Sequence, residues 1–394
     1  MSQTNNELFA DIRPYHDAEV APVLAGILSD DEFIHAICRF RYPRLSRWAG
    51  WLLKPVVRYV LQQRARSITS VRAFQQIVER YMQHMIDTTT DGVTYSGLEN
   101  LTPGESYLFI SNHRDIAMDP ALVNWGLYHN GHDTVRIAIG DNLLRKPYAS
   151  DIMRLNKSFI VKRSAKGVRE MLAAFTELSA YIRHSLDEKQ SIWIAQKEGR
   201  AKDGNDQTDP AILKMFYMNG KKQQIPMADY FRSLNIVPVA ISYEYDAGEV
   251  EKAAELAQKA RGETYVKAEF EDLDSIVKGI VGYKGRVQVS FGPVMREEMN
   301  SPEELAAWID QHITEQYHLF PSNLLAAGIS DEISDEISDE ISDEISVEKQ
   351  QEFAMRMSQV PAELRERVER CYALPACKQR GLPLPPEPHD ESAA

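Results

Sequence analysis

The stretch SNHRDIAMDPALVNWGLY, Ser111–Tyr128, decides how the chain is read. An apolar run, Tyr107-Leu108-Phe109-Ile110, leads into it and a helical pattern leads out, so a strand passes through a short turn into a helix. Asp119 is a favourable N-cap and Pro120 suits the first helical position, which sets the expected helix start at Asp119. His113 and Asp115 then lie in the turn. A side chain at a strand's carboxyl end can face a cleft instead of the core, and an imidazole there is either a catalytic group or a loop residue bonded to backbone.

Working outward, strand-like runs recur at Val135–Ile139, Ser158–Val161, Ser191–Ala195, Ile236–Tyr245, Tyr265–Phe270 and Arg286–Phe291. Helical patterns at 165–186, 210–217, 250–260 and 273–280 alternate with them. This alternation predicts an α/β fold, a mostly parallel sheet flanked by helices, which gathers ligands at the strands' carboxyl ends. Two such ends deliver cations: Lys162, Arg163 and Lys166 after one strand, and Lys197, Glu198, Gly199, Arg200 and Lys202 after another. Each lysine alone fits an ordinary solvated surface. Together with a glycine that lets backbone approach an anion, the guanidinium forks of Arg163 and Arg200 fit a phosphate. The expected chemistry is a general base beside a phosphate-bearing substrate.

A chain of 394 residues has room for two or three domains. Its net charge of −13 argues against general nucleic-acid binding, and −9 of it falls between Ile329 and the end. By contrast, Phe33–Val78 holds nine Arg and Lys and no acid. Within it RLSRWAGWLLKPVVRYVLQQ, residues 44–63, interleaves Trp48, Trp51 and aliphatic residues with bases. Such a segment suits the headgroup region of an anionic membrane, and equally a core helix that Pro55 interrupts. Three scattered cysteines make neither a disulfide framework nor a metal site, and the start MSQTNNELFADIRPYHD lacks the pattern of a secretory signal. No apolar run has the ~18 residues a spanning helix needs. The expectation is a cytoplasmic protein, peripheral at the membrane's cytoplasmic face. Its expected parts are a helical N-terminal region (1–90), an α/β domain (91–320) and a tail (321–394). In the tail, Ile-Ser-Asp-Glu repeats four times from Ile329 as an acidic spacer, a helix broken near Pro361 follows, and the end is expected to be disordered.

Asn112-His113 with Asp119, Phe159-Ile160-Val161-Lys162-Arg163, Glu198-Gly199-Arg200 and Ile236-Val237-Pro238-Val239-Ala240-Ile241 resemble, in order, the four motif blocks of the glycerolipid acyltransferases. The family includes glycerol-3-phosphate and 1-acylglycerol-3-phosphate acyltransferases, and the resemblance covers roughly residues 95–295. It implies that His113 is the base, that Asp119 orients it, and that Arg163, Glu198, Gly199 and Arg200 bind the acceptor's phosphate. Two departures stand out. One residue more than the family has separates His113 from Asp119, which leaves either Asp119 or Asp115 to hold the imidazole. Arg200 directly follows Gly199, so Arg200 and Lys202 compete for the phosphate.

The resemblance implies a phosphate-bearing glycerolipid acceptor and an acyl-CoA or acyl carrier protein thioester as co-substrate, with no cofactor or metal. Acyl transfer to an alcohol needs an oriented base, which histidine supplies near neutral pH. No Gly-x-Ser-x-Gly elbow or cysteine lies near the motif blocks, so direct transfer is simpler than an acyl-enzyme. Two other functions fit the same residues: an esterase or thioesterase in which His113 activates water, and a non-catalytic membrane-binding module. His113-Arg114-Asp115 spells a kinase triplet without the kinase's other motifs, and Lys202–Asp206 resembles an incomplete calcium loop.

Overall fold

Seven short strands carry the architecture: β1 (Val93–Ser96), β2 (Leu108–Ser111), β3 (Arg136–Gly140), β4 (Ser158–Val161), β5 (Ile192–Ala195), β6 (Ile236–Tyr243) and β7 (Val287–Phe291). They come from a computed structural model that describes residues 9–144, 146–268, 271–329 and 345–388. The helices before β3 are α1 (Asp17–Ser29), α2 (Asp31–Arg41), α3 (Pro43–Ala65), α4 (Val71–Thr89) and α5 (Met118–His129). Between β3 and β7 follow α6 (Pro147–Leu155), α7 (Val168–Asp187), α8 (Pro210–Lys222), α9 (Met227–Ser233), α10 (Glu249–Ala260) and α11 (Glu271–Val281). After β7 come α12 (Pro302–Gln316), α13 (Pro321–Ala326), α14 (Val347–Gln359) and α15 (Ala362–Gln379). The chain divides into two compact units, one made of the chain up to Met82 with Val135–Tyr181, the other of Gln83–Thr134 with the chain from Ile182 onward.

In the first unit β3 and β4 pair in parallel, with Ile137 opposite Ser158. Val20, Leu24, Ile27, Ile68, Val71 and Leu155 form its core, and Leu28, Ile34 and Cys38 form a second cluster against Leu53, Val57 and Leu61. The spacing of Leu53, Val57 and Leu61 gives α3 one inward stripe. Its other apolar residues face out: Trp48 is 89 % and Trp51 75 % exposed, with Leu52, Val56 and Tyr59 beside them. The helix runs through Pro55, and its departure from helical geometry falls at Ala49 (φ −132°, ψ 28°). The break expected at Pro55 is therefore corrected: proline withdraws a single amide from the ladder there without ending the helix.

In the second unit the strand order is β1-β7-β6-β2-β5. Every pairing is parallel except that of β6 with β7. All residues of β2 and β6 are buried, as expected for parallel strands covered on both faces. Pro238 is tolerated in the middle of β6 because its carbonyl points to the amide of Gly292, at 2.8 Å, where β7 has already ended. The mostly parallel α/β class is as expected, and β1 is an additional edge strand. The strand expected at Tyr265–Phe270 does not form: residues 265–268 are irregular, and 269–270 lie outside the described residues. Helices α14 and α15 break at Val360–Pro361, and Phe353, Met357, Val360, Leu364, Val368 and Tyr372 bury themselves against Tyr245, Ala253 and Ala257. The Ile-Ser-Asp-Glu repeats, apart from Ile329, lie outside the described residues. No described helix is long and apolar enough to cross a membrane.

Candidate active site

β2 ends at Ser111, and the next two residues are held differently. Asn112 is fully buried and grips β6, its amide donating to Ile241 O at 3.0 Å and its Oδ1 accepting from Ile241 N at 2.8 Å. His113 turns away from the sheet. Its Nδ1 lies 2.8 Å from Asp119 Oδ2, which also accepts from the amides of Arg114 (2.7 Å) and Asp115 (3.0 Å). Because an ionised carboxylate only accepts, the proton of the neutral ring sits on Nδ1 and Nε2 keeps its lone pair. No described residue bonds Nε2. The indole of Trp193 meets the imidazole edge to face at 5.7 Å and is itself fixed by a bond from its Nε1 to Ser111 Oγ, at 3.0 Å.

The two acids of this turn have separate tasks. Asp115 Oδ1 accepts the amides of Ala117 and Met118, each at 2.9 Å. The helix therefore starts at Met118, and Asp119 sits inside its first turn, free to bend back to His113. The expected N-cap role of Asp119 is thus corrected, because Asp115 has taken the first amides. Burial raises the pKa of Asp115, and the charge of Asp119 adds to the rise. Tyr243, the last residue of β6, donates to the other oxygen of Asp119 at 2.7 Å.

The loop after β5 is tied to the same turn. Gln196 N donates to Ser111 O and Ala201 N to His113 O, both at 2.8 Å, so the backbone at Arg200 runs beside the base. A pocket of ≈ 290 Å³ is lined by the two residues after His113, Arg114 and Asp115, with Arg200, Lys202, Lys252 and residues of α11, His113 itself not among its lining. Most of its cations are already paired. Arg114 pairs with Asp206 at 2.7 Å, Lys202 with the buried Glu255, Lys252 with Asp246, and Lys278 with Glu251 at 2.5 Å. Arg200 has Ser275 Oγ at 3.4 Å and no ion pair among the described residues. It is the cation in this pocket with charge to spare for an anion. Burial lowers the pKa of Lys202 against the opposing pull of Glu255.

The family model described as Acyltransferase matches residues 92–242. Over these residues the chain is similar to that family. A glycerol-3-phosphate acyltransferase of Pseudomonas syringae pv. tomato is 24 % identical over 255 residues, covering 63 % of this chain and 28 % of that relative. Its counterpart from Pseudomonas syringae pv. syringae is 23 % identical over 291 residues, 66 % of this chain and 32 % of the relative. The chain thus spans about a third of the length of these curated relatives. The crystal structure of the 1-acyl-sn-glycerophosphate (LPA) acyltransferase PlsC from Thermotoga maritima aligns with a TM-score of 0.38 at 13 % identity, over 71 % of this chain and 92 % of that one.

The residues expected from sequence are distributed unevenly over residues 92–242. His113, Asp119, Asp115, Arg200 and Lys202 come together in the second unit, whereas Glu198 and Gly199 are solvent-exposed, Gly199 with a φ of +79° that suits glycine. Arg163 belongs to the first unit, exposed at the end of β4, where its amide donates to Asp141 Oδ1 at 3.1 Å. In the same unit Lys162 is spent on Asp11 (2.7 Å) and Glu177 (2.9 Å). Sequence reasoning missed Tyr243, Arg114, Asp206 and Lys252. The kinase triplet and the calcium-loop resemblance touch Arg114 and Asp206 without indicating these contacts, which join Tyr243 to Asp119, Arg114 to Asp206 and Lys252 to the carbonyl of Arg114 across long stretches of chain. Among the described residues no group of three His, Cys, Asp or Glu could hold a metal ion.

Proposed function

We propose that the protein transfers a fatty acyl group from a thioester to the hydroxyl of a phosphate-bearing glycerolipid acceptor, 1-acylglycerol-3-phosphate or glycerol-3-phosphate, with His113 as general base. The observation that carries the reading is the His113–Asp119 pair, with the backbone next to Arg200 bonded to the carbonyl of His113. Nε2 takes the acceptor's hydroxyl proton as the oxygen attacks the thioester carbonyl. The C–O bond forms, the C–S bond breaks, and the leaving thiolate takes the proton back from the imidazolium. Asp119 fixes the tautomer and offsets the charge that develops on the ring. Arg200 holds the phosphate, aided by the loop of Glu198 and Gly199. Lys202 contributes field without a direct contact, its charge being shared with Glu255. Arg163 is proposed as a further phosphate ligand on the resemblance of its block, and the acyl donor as acyl-CoA or acyl carrier protein.

The protein is further proposed to work at the cytoplasmic face of an anionic membrane. What supports this is the outward apolar face of α3, with Trp48 and Trp51 among the bases of Phe33–Val78. Thiol release from palmitoyl-CoA tests the reading, measured with lysophosphatidate, with glycerol-3-phosphate and with no acceptor. Release that depends on a phosphate-bearing acceptor is expected. Equal release without acceptor identifies a thioesterase and rejects the transferase.

A further inference from the structure

The family match ends at residue 242, and the next side chain reaches back into the turn of His113. Tyr243 is 7 % exposed and Asp119 fully buried, and the phenol donates to Asp119 Oδ1 at 2.7 Å. We infer that Tyr243 is a positioning residue of the transfer reaction, anchoring the Asp119 carboxylate so that its other oxygen holds His113. The inference rests on the proposed role of His113 as base.

The argument is one of anchoring. The three donors to Oδ2, His113 Nδ1 and the amides of Arg114 and Asp115, all belong to one turn and move with it. The terminal torsion of an aspartate is broad, so these bonds alone tie the carboxylate to the turn and not to the sheet. Tyr243 supplies the tie to the sheet, from the strand that Asn112 also grips at Ile241. The bond lies in a buried site, where a hydrogen bond is stronger than in water. Burial and the neighbouring Asp119 push the phenol's pKa well above its ordinary value, so Tyr243 remains a donor throughout the working pH range. Asp115 and Asp246 also act on the phenol and are left in place in the test below.

Removing the hydroxyl has two consequences. The carboxylate loses its tie to the sheet, and its negative charge, shared with one donor fewer, stabilises the imidazolium more strongly. A Tyr243→Phe protein should therefore combine slower turnover with an acid limb displaced to higher pH. A tyrosine that served packing alone would lower stability without moving that limb.

The test compares full-length wild type, Tyr243→Phe and Tyr95→Phe. Tyr95 supplies a control hydroxyl, half-buried and donating to Leu122 O of the same helix α5 at 3.0 Å, away from Asp119. Three quantities are measured: the melting curve, kcat and KM against pH with palmitoyl-CoA and lysophosphatidate, and the His113 imidazole titration by NMR, its signal assigned with His113→Ala. Tyr243→Phe is expected to fold, to lose about tenfold in kcat with KM for lysophosphatidate within about twofold, and to shift both the acid limb and the imidazole midpoint to higher pH. Tyr95→Phe should shift neither. An unmoved midpoint in Tyr243→Phe, or equal shifts in both variants, overturns the inference. If wild type transfers no acyl group while the imidazole midpoint still moves in Tyr243→Phe, the transferase reading fails and the anchoring stands.

Discussion

Arg200 and Lys202 stand two residues apart and should answer mutation differently. A hydrogen bond to a charged group is worth about 1.5–3 kcal/mol, so Arg200→Gln is expected to raise KM for the phosphate-bearing acceptor by about ten- to a hundredfold, with kcat at saturation little changed. Lys202→Gln should leave the buried Glu255 with fewer partners and appear chiefly as a lower melting temperature. Kinetics and melting curves of the two variants check both statements. Lys284 gives a prediction about pH. It is 2 % exposed, its ammonium donates to Thr89 Oγ1 at 3.0 Å and Gly282 O at 2.6 Å, and burial brings its pKa down to about 8. From there up to the ordinary lysine value of about 10.4 the unfolded chain binds more protons than the folded one, so this group makes stability rise with pH. Denaturant unfolding of wild type and Lys284→Met should show the difference between them growing in favour of wild type across that window, by at most about 3 kcal/mol. A constant difference would contradict the assignment.

Among the elements, the loop that carries Arg200 is braced from the C-terminal side. Gly204 has a φ of +80°, and a Cβ there would lie 2.5 Å from the carbonyl oxygen of Cys371 on α15. Gly204→Ala should therefore cost more than about 1 kcal/mol and loosen the loop, which a lowered melting temperature together with a raised KM for the acceptor would show. The sequence made some elements readable and concealed others for physical reasons. β2 and β6 are apolar runs buried throughout and β4 and β5 are buried in part, and such apolar runs are visible without a partner strand. β1 alternates between half-buried and exposed residues over only four positions, too weak a pattern to separate from a loop. Residues 265–268 contain the residue types of a strand without a pairing partner. At the site, His113 was legible because a strand end preceded it. The choice between Asp115 and Asp119 was not, since both acids suit a helix start and only the amides taken by Asp115 decide it. Tyr243 was hidden because its partner Asp119 lies far back in the chain.

At the scale of the whole molecule, the proposal joins two surfaces of different chemistry: a buried acid–base pair in the second unit and an exposed tryptophan-rich, basic helix in the first. Trp48 and Trp51 are not core residues, so Trp48→Glu with Trp51→Glu should leave the melting curve unchanged and abolish cosedimentation with phosphatidylglycerol vesicles. Binding of wild type should weaken with salt, each base near the surface contributing about 1 kcal/mol. The central claim is that His113 is the base of acyl transfer. Its most direct measurement is thiol release from palmitoyl-CoA with lysophosphatidate or glycerol-3-phosphate as acceptor, in wild type and in His113→Ala. The account predicts acceptor-dependent release that falls ~10²- to 10⁴-fold in a variant that still unfolds cooperatively. Equal release by the two folded proteins would contradict it.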